Sequence, residues 1–237
     1  MDWFPLINSL RVALVATMVV FCLGIWLANL ASRLPRVAKG ALDVVLTLPL
    51  VLPPTVVGYL LLLATGPRRP LGAWAQALFS MRLTMVWYAA ILATVVVSFP
   101  LMYRTARGAF EQFDETLADA ARTLGHSEAW VFWRVKLPCC RQGIVAGAVL
   151  AFARALGEYG ATSMVCGYTP GVTATVSTTV YQLWRTGDDA GALAWVMVNL
   201  AISAVVLLAM NWFEQRSKAD VRRAARPLRV RGAGGAR

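Results

Sequence analysis

The sequence predicts an all-α protein that crosses a membrane about five times, and three observations carry that prediction. First, 58% of the 237 residues are hydrophobic and only 15% are charged, where soluble domains carry about 25% charged residues. Second, five runs approach the roughly 20 apolar residues that a helix needs to cross the hydrocarbon core. Third, the basic residues that give the net charge of +11 gather on alternate sides of those runs. Their distribution follows the positive-inside rule and leaves nothing for a nucleic-acid partner to explain.

The expected spans are 7–30, 41–64, 84–103, 142–165 and 192–213. Each should be helical, because a lipid-facing segment must satisfy its own backbone hydrogen bonds. The first run has a signal-like Ala-Asn-Leu-Ala31, but it lacks a basic leader and is followed by Arg33, Arg36 and Lys39, so it reads as a retained span. Three basic residues follow span one, six lie between Arg104 and Arg141 after span three, and eight lie in the tail from Arg216 to Arg237. The opposite side holds four: Arg68, Arg69, Arg82 and Arg185. This asymmetry places the N-terminus outside and the C-terminus in the cytoplasm. The membrane domain then covers 1–213, and 214–237 forms a basic tail, expected to be disordered or to meet anionic headgroups.

Span two contains Pro49, Pro53 and Pro54, each lacking a backbone donor, with Gly58 on the following turn. Two readings stand for it: a fixed packing kink, or the wall of a pathway that moves during gating. Span four carries Arg154 and Glu158 at i,i+4 spacing. A lone charge at the bilayer centre costs about 3 kcal/mol on insertion scales, so both should face protein and pair. The pair either locks the span to its neighbours or sets Arg154 beside the route of an anion. Gly143, Gly147, Ala151 and Ala155 repeat at every fourth position on the same helix, a stripe that admits another helix closely. The outer segment 166–191 is polar but uncharged over much of its length, with a short helix expected at 176–184.

Between spans three and four lies a charged, amphipathic stretch, 109–138, on the cytoplasmic side. Asp114 or Glu115 suits the start of a helix running to Leu124. Gly125 suits its left-handed end. Ser127 can cap a second helix with Glu128 in its first turn. That helix carries Ala129, Trp130, Val131, Phe132, Trp133 and Val135, and Pro138 should end it. Apolar residues nearly surround it, so it should lie at the membrane interface or insert into a partner's groove.

Other chemistry is scarce. The one histidine, His126, excludes a multi-histidine metal or di-histidine haem site within the chain. Cys22, Cys139, Cys140 and Cys166 form no C-x-x-C pair and read as small apolar fillers. No Gly-x-x-x-x-Gly-Lys-Ser/Thr phosphate loop occurs.

Asp119-Ala120-Ala121, Gly125 and Val135-Lys136-Leu137-Pro138 stand in the register of the Glu-Ala-Ala motif of ABC-importer permeases, with Asp for Glu and Val for Ile. Leu48–Tyr59, Phe152–Ala161 and Gly167–Thr175 resemble molybdate permeases in particular, and sulfate and tungstate permeases less closely. Tyr168 departs from the asparagine that molybdate relatives often carry. The resemblance implies a type I importer permease in the bacterial cytoplasmic membrane, working as a homodimer and moving molybdate, tungstate or sulfate. It implies two ATPase subunits that hold the ATP and Mg, and an extracytoplasmic oxyanion-binding protein; the chain itself needs no cofactor and is no enzyme. Asp119, Ala120, Ala121, Gly125, Ser127, Glu128, Trp130, Val131, Val135, Leu137 and Pro138 would form the coupling helix region that docks on an ATPase. Pro49, Pro53, Pro54, Gly58, Arg154, Glu158 and Gly160 would line or gate the path. Thr173, Thr175 and Thr178 would meet the binding protein. The alternative of another class is a membrane scaffold or five-span enzyme whose amphipathic loop lies on lipid.

Overall fold

A computed structural model of the chain describes residues 2–224. Helices account for all regular structure among the described residues. α1 (Phe4–Ser32) is one unbroken helix of 29 residues, about 43 Å long at 1.5 Å per residue and ample for a bilayer. α5 (Trp87–Glu111) and α12 (Asp189–Ala224) are the other single helices long and apolar enough to cross. α12 continues beyond the expected end of span five, so 214–224 is helical rather than disordered. Those residues are rich in good helix formers and simply propagate an existing helix. The remainder of the expected tail, 225–237, lies outside the described residues.

The other two expected spans are broken. Span two is α2 (Arg36–Val51) and α3 (Pro54–Thr65), which meet at 113°. The corner is Leu52-Pro53, both in extended conformations. Two consecutive prolines remove two donors and bias the residue before each away from the helical region, so a corner replaces a kink. Pro49 is accommodated within α2. Span four divides into α9 (Arg141–Leu156) and α10 (Gly160–Cys166), separated by Gly157, Glu158 and Tyr159. Two bent pairs, α2 with α3 and the helix 128–139 with α9, could each count as one span, which gives up to five.

The core is a three-helix packing of α1, α5 and α9. Val20, Ala28, Ala31, Met102, Tyr103, Ala106, Ile144 and Ala151 are buried at its centre. The small-residue stripe of α9 meets α5: a β-carbon at Gly143 would lie 2.6 Å from the Ala109 β-carbon, and one at Gly147 would lie 2.9 Å from Met102 Sδ. A second cluster joins α1, α3, α5 and α10 through Val12, Val57, Ala93, Val97, Ala161 and Val165. α12 lies at the edge, packed mainly on the short helix α11 (Val176–Arg185). α4 (Pro70–Phe79) packs on α3. All four cysteines are free thiols; Cys140 and Cys166 are buried, whereas Cys22 and Cys139 are exposed, so only the first two act as fillers.

Candidate coupling surface and translocation path

The charged stretch folds as a helical hairpin. α6 (Glu115–Thr123) begins at Asp114, whose carboxylate accepts from the Thr116 amide at 3.0 Å and its hydroxyl at 2.7 Å. These bonds, the hydroxyl's first, hold the Asp114 carboxyl below its usual pKa. Gly125 follows at φ +84°, a left-handed turn with open space around it. α7 (Glu128–Val131) then starts at Ser127, whose hydroxyl accepts from the Trp130 amide at 3.4 Å.

Arg122 fastens the two helices. It bonds Asp119 at 2.6 Å and Glu128 at 2.6 and 3.3 Å. The guanidinium holds the Glu128 carboxyl below its ordinary pKa, and the two carboxylates push Arg122 upward. Beneath this layer, Val131 and half-buried Val135 pack on Ala118 and Ala121. Lys136 is buried, bonds Glu115 at 3.1 Å and sits 5.5 and 5.7 Å from the Phe110 and Phe113 rings. The chain's own α6 and α5 therefore take up part of the apolar surface expected to seek a partner. Leu117, Leu124, Trp130 and Trp133 stay exposed, Leu124 at 77%.

Pro138 does not end the helix. After α7 the backbone widens into a π turn over Phe132–Lys136 and continues as α8 (Leu137–Cys139). The Leu137 amide reaches back five residues to the Phe132 carbonyl, a ladder offset that accommodates the proline ring. The break falls at Cys140, where the axis turns by 74° into α9. Leu137 is half-buried, while Pro138, Ala120, Gly125 and Asp119 lie at the surface.

Of the residues expected to line or gate a path, Pro53, Pro54, Gly58, Glu158 and Gly160 lie at the breaks of the two bent spans. A β-carbon on Gly58 would lie 2.7 Å from the Ala161 α-carbon, and one on Gly160 would lie 2.9 Å from the Pro54 β-carbon. The corner after α2 and the break before α10 thus press together, and α3 crosses α10 with backbone against backbone. Glu158 sits in that break with a side chain only 2% exposed. One oxygen accepts from the Ala161 amide at 2.7 Å and the other pairs with Arg154 Nη1 at 2.6 Å. Arg154 remains 28% exposed, a cation partly open to its surroundings. Pro49 lies apart from this contact, within α2.

Thr173, Thr175 and Thr178 are buried at 5% exposure or less. Thr173 accepts from the Thr169 amide at 2.9 Å, and Thr175 and Thr178 form a reciprocal capping box at the start of α11. They shape the 166–191 segment from within, because short hydroxyl side chains in such turns are drawn to nearby backbone groups. Asn8 and Ser9 anchor the segment to α1 through the Ala174 carbonyl and Val176 amide, each at 2.9 Å. The exposed face above them presents Val172, Tyr181 and Trp184.

One group escaped sequence reasoning. Asp43 on α2 accepts from Tyr103 at 2.6 Å and pairs with Arg107, while Glu111 pairs with Lys39 and with Arg107 at 3.3 Å. This cluster ties the α2 arm, which buries none of its residues fully, to the end of α5 that runs into the hairpin. An acid inside an apolar span is a functional signal in itself, and Asp43 fell within the expected span two.

The geometry has known counterparts. Residues 21–219 match the family model described as binding-protein-dependent transport system inner membrane component. The molybdenum transport system permease protein ModB of Escherichia coli is 41% identical over 218 residues, covering 92% of this chain and 95% of that protein. ModB of Haemophilus influenzae is 36% identical over 209 residues, covering 88% and 91%. In fold, the chain resembles a bacterial ABC transporter involved in import of alginate (TM-score 0.70, 18% identity, 90% of this chain and 78% of that one). It also resembles the methionine ABC transporter MetNI in an inward-facing conformation (TM-score 0.68, 15% identity, 91% and 99%). The chain is a multi-pass, all-helical transport subunit, and it belongs to the family of binding-protein-dependent transport system inner membrane components.

Proposed function

We propose that this chain is the membrane-spanning subunit of an ATP-driven importer of molybdate. Similarity to molybdenum permeases across nearly the whole chain carries this reading. Two copies would enclose the path, with the N-terminus outside and the C-terminus cytoplasmic, in keeping with the basic residues on alternate sides. Separate ATPase subunits, which hold ATP and Mg, would dock on the α6–α7 hairpin. A binding protein would deliver the anion to the outer segment around α11.

The residues suggest how the work is transmitted. Closure of the ATPases would draw the hairpins of the two copies together. The rigid clasp of Arg122 and the buried Lys136 pass that displacement to the end of α5. There the Asp43, Arg107, Glu111 and Lys39 cluster engages α2, and the Pro53 corner carries the motion to α3 and, through Gly58 and Gly160, to α10. The loaded binding protein supplies differential affinity for the outward-open state, as any population shift requires. Arg154 offers a cation to a tetrahedral dianion, and Glu158 offsets enough of that charge to let the anion leave.

The test measures ATPase stimulation and uptake in proteoliposomes containing the permease and its ATPase, with binding protein loaded with molybdate, tungstate or sulfate. Molybdate should support both activities best. Preference for sulfate would overturn the substrate assignment, and tungstate dominance would make this chain a tungstate permease of the same architecture.

A further inference from the structure

Beside the hairpin lies a groove of about 650 Å³ that the transport reading does not use. α1 forms one wall with Phe21, Ile25 and Trp26; Trp133 and Val145 line the other. Arg33 and Arg141 stand at its hairpin end. Phe21 to Arg33 covers about 18 Å along a helix axis, close to half of the roughly 30 Å hydrocarbon core. The groove therefore has the depth of one leaflet, which suits an acyl chain and is too short for a spanning helix.

Its charge selects the headgroup. Glu128 also lines the mouth, where Arg122 holds both of its oxygens and Arg33 pairs with it at 3.7 Å. Arg33 and Arg141 together outweigh that one carboxylate. Trp26 and Trp133 are 62% and 64% exposed, with amphipathic rings of the kind that settle at headgroup level. We propose that this groove binds an anionic phospholipid of the leaflet facing the hairpin, with its phosphate on Arg33 and Arg141 and an acyl chain along Phe21, Ile25 and Val145. Since Trp133 belongs to the coupling segment, the bound lipid becomes part of the seat on which that segment rests.

Cys22 lines the same groove and is exposed, so it can report occupancy. The full chain carrying Cys139→Ser is labelled at Cys22 with a fluorophore and reconstituted in phosphatidylcholine vesicles. Chain-spin-labelled phosphatidylglycerol or phosphatidylcholine is then added as quencher. Phosphatidylglycerol should quench at about one-fifth the concentration needed for phosphatidylcholine, the preference expected for one net basic charge near an anionic headgroup. The preference should vanish in Arg33→Ala/Arg141→Ala and persist in Arg33→Lys/Arg141→Lys, which separates loss of charge from loss of fold. Equal quenching by both lipids, or an undiminished preference in the alanine variant, overturns the proposal. Absence of quenching by either lipid also overturns it, and assigns the groove to a second copy or another protein.

Discussion

Replacing Gly58 by alanine would set a methyl carbon 2.7 Å from the Ala161 α-carbon, 2.9 Å from the Ala161 carbonyl oxygen and 2.9 Å from the Met164 β-carbon. Carbon atoms in good contact stand about 3.5–4.0 Å apart, so α3 and α10 must part by roughly 1 Å. Two of those three neighbours are backbone atoms of a buried residue and cannot swing aside. Overpacking of this kind costs about 1–3 kcal/mol, a fall in Tm of roughly 2–12 °C for a chain of this size. The assay is thermal aggregation of purified protein followed by size-exclusion chromatography, with Gly40→Ala as control. Gly40 lies in α2 with no neighbour within 4 Å of the added carbon, so that substitution should be neutral or stabilise by up to about 1 kcal/mol. Uptake should fall with Gly58→Ala, because the contact that passes motion from α3 to α10 is pried apart. If Gly58→Ala and Gly40→Ala gave the same Tm and the same uptake, the crossing of the two broken spans would not be as described.

Arg154→Met should destabilise by about 3 kcal/mol, the low end for breaking a buried pair because Arg154 is partly exposed; adding Glu158→Gln should recover much of the loss in Tm. If the double variant is stable yet silent in uptake, Arg154 serves the anion, whereas recovered uptake makes the pair structural. Arg107→Ala should lower uptake while leaving ATPase association intact, and the exchange Asp43→Arg/Arg107→Asp should restore part of it; failure of both variants to associate would place the cluster in the docking surface instead. The hairpin should keep its amide protection from hydrogen exchange, corrected for intrinsic rates, from neutral pH down to the ordinary carboxylate range and lose it progressively below. Asp114 and Glu128 have lowered folded pKa values, so their stabilisation is present above the unfolded pKa and lost only as pH falls through the folded one. Loss of protection above pH 5 would contradict that. Ser127→Ala should cost about 1 kcal/mol of local stability, read as faster exchange at Trp130 and little change in Tm.

The hairpin was the most legible part of the chain. Asp114, Gly125 and Ser127 are local signals, and each acts through hydrogen bonds or dihedral angles within a few residues of itself. Span three and the existence of spans one and five followed from length and apolarity alone. Pro138 misled because a missing donor usually ends a helix, whereas here a π turn begins at Phe132, which packs against Phe110 of α5. The 113° corner at Pro53 was signalled as a disturbance, but its size is visible only in the fold, where Gly58 lies against Ala161 and Gly160 against Pro54. The outer threonines looked like a polar surface because composition cannot distinguish a hydroxyl that faces water from one that caps a helix beneath it. The Asp43 cluster joins residues that lie 60 and more apart along the chain, and only the folded arrangement brings them together.

ATPase association with the hairpin is the most direct test of the account. The full permease, wild type or carrying Gly125→Val with Leu124→Asp, is co-expressed with its ATPase subunit and purified through a tag on the permease alone. Gly125 is at positive φ, where a β-branched side chain strains the turn itself, and Leu124 is largely exposed, so both changes fall on the hairpin and away from the packed α1, α5 and α9 core. The wild-type chain should retain the ATPase and support ATP-dependent molybdate uptake in proteoliposomes, and the variant should lose both while still eluting as folded permease in size-exclusion chromatography. Equal retention of the ATPase by the two proteins would contradict the assignment of this segment as the coupling surface.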